Sequence, residues 1–354
     1  MSGEPHQRPA IAAIRPKKMR VAQDDLVRMS THDPATAVPL VIEPQTTDLS
    51  LAEWLDANPA LVADKLLLHG AVLFSGFHIA SPADFHAIAS SWSSHLLAYQ
   101  DRSTPRSTVL DGIYTSTEYP AEHEIPMHNE NSYSHSWPGK VWFYCHEPST
   151  AGGETPLADS ALVFERIDPL IRQTFCEKKV MYVRNYRDGL DLDWRTAFQT
   201  DDKRVVEAYC QRTETQFEWL GAEHLRTCQV RHAVLPHPIS GRALWFNQAH
   251  LFHVSSLPDP VRSALLQLHT VDDLPRNAYY GDGTIIEDEV LAHIRDCYRT
   301  TRVLFPWRRG QVLLIDNMRV AHGRMPFVGR RSILVAMSEP LHATQHPRDL
   351  TPLR

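Results

Sequence analysis

Apolar positions along the chain fall into short blocks separated by polar, turn-rich stretches. Residues 1–36 hold no sustained apolar period, and Pro5, Pro9 and Pro16 interrupt any amphipathic helix there, so a flexible N-terminal tail is expected. A compact, ordered pattern begins at 38–43. A helix is predicted over 56–68, closed by Gly70, a residue suited to the left-handed cap. The apolar run 71–77 reads as a buried strand. Ser81-Pro82 opens the next helix, with serine as cap and proline in the first turn. The aromatic and β-branched run 140–146 predicts a strand, followed by a turn over 148–154 that contains Gly152-Gly153. Helices are expected from Asp168-Pro169, over 202–211, from Asp259-Pro260 and from Glu287. Strands are expected at 180–186, 227–234, 242–246, 311–316 and 331–337. Strands at both ends enclosing a helix-rich middle suggest one α+β domain over 37–345. Its helical insertion, at about 164–225, is expected to cover the site, and a short tail over 346–354 follows.

Composition narrows the function. The chain has 354 residues, 43% apolar and 22% charged, with net charge −6. That describes an ordinary globular chain with material for a core. Nothing in it asks for a nucleic-acid or membrane partner. No apolar run approaches the length that spans a bilayer. Five widely spaced cysteines without a C-x-x-C pair argue against a zinc ribbon or dithiol site and suit a cytoplasmic setting. Residues 1–20 carry five basic groups against one acid but lack the apolar stretch of a secretory signal. Oligomeric state is not legible.

Histidine is abundant, at 20 residues, and two of them stand in chemically pointed contexts. His128 and Glu130 lie two apart, so extended backbone sends both side chains off one face. His322 follows the apolar strand 312–315 and is a candidate third ligand. Two histidines and one carboxylate on one face of an octahedron form the facial triad of non-haem Fe(II) oxygenases, which leaves three adjacent positions open. Alone, either motif is as well read as packing or capping. Three ligands could also hold zinc for hydrolysis, although zinc sites favour a tetrahedral set. His250 and His253 are read as loop residues without a metal.

The blocks 114–120, 127–133, 152–159, 245–248 and 322–335 occur in an order that resembles the TauD/TfdA, or clavaminate synthase-like, family of Fe(II)/2-oxoglutarate oxygenases. Within that family the sequence is most similar to the SyrP-like branch of amino-acid hydroxylases. The resemblance implies a double-stranded β-helix (jelly-roll) core with flanking helices. It implies metal ligands His128, Glu130 and His322, with Fe(II), 2-oxoglutarate and dioxygen as the reacting set. It places the far carboxylate of 2-oxoglutarate on Thr155 and Arg331. Arg330 is the rival, sent to the opposite face by strand alternation. An acid at position 130, rather than alanine or glycine, argues against halogenation.

The implied substrate is an amino acid, free or tethered to a carrier protein, in specialised metabolism. Hydroxylation is the expected outcome, with desaturation or ring closure as alternatives. A non-catalytic binding protein on the same fold is the reading from a different class. Asn129 and Asn131, which flank the ligands, are candidate substrate residues, as are Asn247, Arg324 and Arg184, the last toward an acidic substrate group.

Overall fold

The computed structural model describes residues 26–343 except 94, 98–105, 118 and 188–191. The expected tail over 346–354 lies outside them. The expected tail over 1–36 ends sooner, because Val27–Thr31 is a strand paired antiparallel with Leu40–Pro44. Val27 is buried there and Met29 packs against the same core, an alternation too short to stand out among polar neighbours. The domain therefore starts about ten residues before the expected boundary.

Eight strands form the main sheet, in the order Val27–Thr31, Leu40–Pro44, Ala71–Phe74, Val312–Asp316, Ser136–Glu147, Ser332–His342, Ile113–Thr115 and Thr108–Leu110. Leu40–Pro44 and Ala71–Phe74 run parallel, and every other pairing in this sheet is antiparallel. Its central strands are apolar on both faces, and their alternation separates two cores. Trp142, Tyr144, Val312 and Leu314 face one cluster with Trp54, Leu66 and Phe85 of the flanking helices. Val141, Phe143, Leu313 and Ile315 face the other, with Leu157 and Val320 of a smaller sheet. That smaller sheet is Ile125–His128, Val320–Arg324 and Leu157–Asp159, all antiparallel. Two facing sheets of this kind are the jelly-roll core.

Local chemistry sets the helix ends. Ser81 caps Pro82–Trp92 with a full capping box to Asp84, as its sequence suggests. Gly70 ends Pro59–His69 in the left-handed region at φ 74°. The single helix expected over 56–68 is two, Leu51–Ala57 and Pro59–His69. Pro59 lacks the N–H that would continue the first helix and instead starts the second.

The insertion differs most from expectation. Between Asp159 and Val312 stands a four-stranded antiparallel sheet, ordered Gln216–Trp219, Leu225–Arg231, Val180–Tyr186 and Arg276–Tyr280. Its fourth strand lies about fifty residues past the expected end of the insertion. Tyr182, Ala278 and Tyr280 pack with helices Pro169–Lys178 and Asp288–Thr301 into a core that also takes Met127 and Ala321 of the smaller sheet. The insertion is thus fastened to the back of the strands that carry His128 and His322. His250, expected in a loop, sits on the short helix Ala249–Phe252.

Gly323 sits between His322 and Arg324, where a β-carbon would meet the Ile125 carbonyl oxygen at 2.5 Å. Gly323→Ala forces that backbone apart. It is expected to lower unfolding stability by about 1–3 kcal/mol in urea titration, with metal affinity falling in parallel.

Candidate metal centre

Strand pairing brings the distant ligands together. His322 and His128 are direct cross-strand partners, so their side chains leave the same face. Their ring centroids are 4.7 Å apart, and Phe143 packs edge-on against His322 at 5.0 Å. Glu130 lies one turn beyond its strand, with Oε2 at 3.8 Å from His322 Nε2. One ligand atom from each of His128, Glu130 and His322 falls within 4.8 Å of the others, the only such trio of His, Cys, Asp or Glu among the described residues.

The turn that presents Glu130 is pinned on several sides. Its N–H donates to Asn317 Oδ1 at 2.7 Å, and Asn317 Nδ2 donates back to the Glu130 carbonyl at 3.0 Å and to that of Pro138 at 2.8 Å. Asn129 donates to the Asn317 carbonyl at 2.7 Å and Gln248 to the Asn129 carbonyl at 2.9 Å. Asn131 carries the reversal at φ 56°, a conformation asparagine tolerates well.

Protonation states suit a cation. His128 Nδ1 faces the Pro126 carbonyl at 2.8 Å, so it carries the hydrogen and leaves the Nε2 lone pair for a ligand. Burial, then the neighbouring His322, pushes His128 down to about 4, so it stays neutral at physiological pH. Burial alone would raise Glu130, but Arg106 and the histidines outweigh it and hold the carboxyl well below its ordinary range. His322 Nδ1 is buried without a hydrogen-bond partner among the described residues. Two imidazoles and a held carboxylate fit an octahedral ferrous ion.

Arg106, which carries no sequence signal, is part of this centre. Its Nη2 donates to both Glu130 oxygens, at 2.9 and 3.1 Å, and both side chains are about 5% exposed. Asn317 was equally hidden. In both cases the partner is remote in sequence, 24 and 187 residues away.

Beside the ligands lies a pocket lined by Thr155, His128, His322, Arg106, Arg324 and Arg331. Thr155 Oγ1 accepts from Trp307 Nε1 at 3.0 Å, which leaves the threonine hydrogen able to donate into the pocket. Arg331 donates from Nε to the Gly153 carbonyl at 2.9 Å, while Arg330 is exposed. Gly153, at φ 75°, fits only as glycine: a β-carbon would meet Ser149 Oγ at 2.6 Å and Arg331 Cδ at 3.0 Å. Burial, then Arg324, lowers Arg331 to about 10, so it remains a cation at neutral pH. Arg324 lines the same pocket, but its Nη atoms donate to the Tyr119, Pro120 and His123 carbonyls at 2.5–2.7 Å. That makes it a brace for the wall.

A second pocket opens on the other side of His128. It is lined by Glu130, Asn131, Tyr133, Gln248, Phe252 and Arg276, among others. Asn131 is therefore at a pocket wall, whereas Asn129 is turned into the hydrogen-bond network behind it. Asn247 braces the helix start, donating to the Ala233 carbonyl and accepting from Ala249 N–H. Arg184 is buried in the insertion sheet, directly opposite Arg276. Among the described residues, the expected cover over 164–225 supplies none of these walls. The insertion's share of the wall comes from Gln248, Leu251, Phe252 and Arg276, because the sheet ordered by Val180–Tyr186 carries its later partner strand to the site.

Residues 33–337 match the family described as "Taurine catabolism dioxygenase TauD, TfdA family". The chain belongs to the TauD/TfdA family. It is a dioxygenase whose cofactors are Fe(II) and 2-oxoglutarate. It is 44% identical over 302 residues to the dapdiamide synthesis protein DdaC of Enterobacter agglomerans, spanning 85% of this chain and 91% of that one. It is 31% identical over 287 residues to a clavaminate synthase-like protein of Arabidopsis thaliana, spanning 77% and 82%. The crystal structure of PvcB from Pseudomonas aeruginosa shares the fold, with TM-score 0.54 at 14% identity over 97% of this chain and all of that one. No helix among the described residues is long and apolar enough to cross a membrane, and no disulfide joins the cysteines.

Two outcomes follow from these electrostatics. Arg106→Met leaves Glu130 buried without its cation. Metal affinity in a Co(II) titration is expected to fall roughly 10–100-fold and to recover as pH rises. Separately, His128, His250 and His253 are each held near 4 by burial, below the ordinary 6.5. The unfolded chain then binds protons first, so the metal-free protein keeps full stability above pH about 6.5 and loses it progressively toward pH about 4. Melting temperature against pH reads this directly.

Proposed function

We propose that the protein hydroxylates an unactivated carbon of an amino acid, free or tethered as an aminoacyl group to a carrier protein, during assembly of a specialised metabolite. The observation that carries this reading is the juxtaposition of a two-histidine, one-carboxylate cluster with a pocket holding Thr155 and Arg331. A zinc hydrolase would have no use for that second feature. The similarity to a dapdiamide synthesis protein supports an amino-acid-derived substrate.

In this reading His128, Glu130 and His322 hold the ferrous ion. Bound Fe(II) with 2-oxoglutarate and dioxygen supplies the oxidising power to break an unactivated C–H bond. The protein supplies orientation. Arg331 grips the far carboxylate of 2-oxoglutarate through charge-assisted hydrogen bonds, and the Thr155 hydroxyl adds a neutral donor. Arg106 keeps Glu130 ionised in a buried setting. Tyr133, Leu251 and Phe252 line the substrate side, holding the reacting carbon in an apolar wall and limiting water.

The test is anaerobic Fe(II) titration with 2-oxoglutarate, followed by air and mass analysis of candidate amino acids and their carrier thioesters. A visible band that needs both cofactors, and a product heavier by one oxygen atom, are expected. A product lighter by two hydrogens reports desaturation or cyclisation instead. Glu130→Ala is expected to lose band and product together. Arg331→Ala is expected to raise the 2-oxoglutarate requirement about 30–1,000-fold while Co(II) affinity stays within about threefold. Unchanged 2-oxoglutarate affinity in that variant removes Arg331 from its role.

A further inference from the structure

The turn that presents Glu130 has a second side. Glu130, Asn131 and Tyr133 line the pocket beside the metal ligands, whereas Ser132 and Ser134 line a separate cavity of about 240 Å³. The two linings have no residue in common. That volume holds roughly sixteen waters at about 15 Å³ each, which is room for a small organic molecule. The cavity lies where the core meets the insertion. Trp137 of the main sheet forms one part of its wall, and Lys179, Leu235 and Phe246 of the insertion form another.

The Ser132 and Ser134 hydroxyls are buried without a hydrogen-bond partner among the described residues, and each residue is 3% exposed. Their N–H groups are satisfied inside the turn, by the Asn129 and Asn131 carbonyls at 3.2 and 2.9 Å, so the hydroxyls are what is left over. A buried hydroxyl without a partner is costly and uncommon enough to need a reason. Rotation about χ1 carries such a group between staggered positions, so it can turn to a guest. Lys179 supplies an independent sign. Its backbone sits at φ 66°, ψ −167°, a region essentially confined to glycine. The chain is held there by the Lys179 N–H donating to the Phe175 carbonyl at 2.9 Å and the Gly281 N–H donating to the Lys179 carbonyl at 3.2 Å. Glycine would meet that demand without strain, so what the strain retains is the lysine side chain. No hydrogen bond or ion pair among the described residues engages its ammonium. Of the other charged residues on the lining, Glu214 is the one acid, and Arg231 donates to the Thr213 carbonyl at 2.6 Å and to Gln229 Oε1 at 2.8 Å. Trp137, Leu235 and Phe246 are buried, with the two rings 5.1 Å apart, and make an apolar wall.

We propose that this cavity is a regulatory site for a small organic acid with an apolar body, whose binding tightens the metal centre through the Glu130 turn. The Lys179 ammonium pairs with the acid group, and the Ser132 and Ser134 hydroxyls donate to oxygens of the guest. The hydrocarbon body lies against Trp137, Leu235 and Phe246. Ser132 and Ser134 stand two and four residues beyond Glu130, so pairing them stiffens the segment that holds its carboxylate. Guest and metal then raise each other's affinity, by the same factor in both directions. The site stands apart from both pockets at the metal and does not depend on which substrate the enzyme takes.

The experiment uses the full-length protein, Co(II), and probe pairs that differ only by acid against amide. The pairs are phenylacetate and phenylacetamide, indole-3-acetate and indole-3-acetamide, and 4-methylvalerate and its amide. Saturating 2-oxoglutarate is kept throughout, so that the probes do not report on the cofactor pocket. Calorimetry reads probe binding with and without Co(II), and Co(II) binding with and without probe. At least one acid is expected to bind once per chain, at least about tenfold tighter than its amide, as one charge-assisted pair predicts. That acid is expected to raise Co(II) affinity at least about fivefold, with Co(II) raising its affinity equally. Lys179→Gly is expected to hold or raise the melting temperature and keep the probe-free Co(II) affinity while losing the acid preference, a combination that misfolding does not give. Lys179→Met, which removes the charge alone, is expected to lose the same preference. The double variant Ser132→Ala, Ser134→Ala is expected to lose the coupling to Co(II). Binding of no acid, which marks a cavity holding water only, overturns the proposal. So do equal binding of acid and amide, a preference intact in both Lys179 variants, or Co(II) affinity unmoved by a bound acid.

Discussion

The register between Ile125–His128 and Val320–Arg324 is the constraint on which the centre depends. His128 and His322 are 194 positions apart in sequence, yet strand pairing sets them directly opposite. A slip of one residue would send every side chain of the moved strand to the other face. The register is protected from both sides. Val320 is buried in the core between the two sheets, and Met127, Ala158 and Ala321 are buried in the core of the insertion. A slipped strand would expose apolar surface on one side and bury polar groups on the other. The absence of a side chain at Gly323 lets the two backbones approach closely at the ligand positions.

Strand geometry alone does not place the third ligand. Glu130 sits past the strand end, where the chain reverses, and is fixed by side chains from elsewhere. Asn317 reads both the N–H and the carbonyl of Glu130, as a strand neighbour would, but with an amide side chain. Arg106 then fixes the carboxylate itself. Burying a carboxylate is costly unless it is paired and hydrogen-bonded. The guanidinium therefore acts on charge as much as on position, keeping Glu130 an anion within reach of the two imidazoles.

What sequence pattern reveals follows from how local each interaction is. The His128/Glu130 spacing, the late His322, the helix cap at Ser81 and the strand at 180–186 depend on neighbours a few residues away, and all are legible. The jelly-roll core followed from the family resemblance and is the fold observed. Arg106, Asn317 and Gln248 act across long separations, and nothing next to them in sequence sets them apart from other polar residues. Asn129 and Asn247 looked like pocket residues because they adjoin motifs, but each serves the backbone. The strand Val27–Thr31 was missed because its alternation covers only five residues. The insertion looked helical because its strands are dispersed between helices and find partners late in the chain.

The division of labour between core and insertion has a chemical consequence. Thr155, Arg331 and His322 stand on or beside strands of the core, where both faces are packed and little can move without loss of stability. Gln248, Leu251, Phe252 and Arg276 belong to the insertion, which has its own sheet and its own apolar core. The pocket that holds Thr155 and Arg331 is thus built from the part of the chain most constrained by packing. The second pocket joins Ile125, His128, Glu130 and Tyr133 of the core to Gln248, Leu251, Phe252 and Arg276 of the insertion. Side chains on the insertion's part of that wall can therefore differ without disturbing the strand register that brings His128 and His322 together, whereas a change on the core's part acts on the ligand positions themselves.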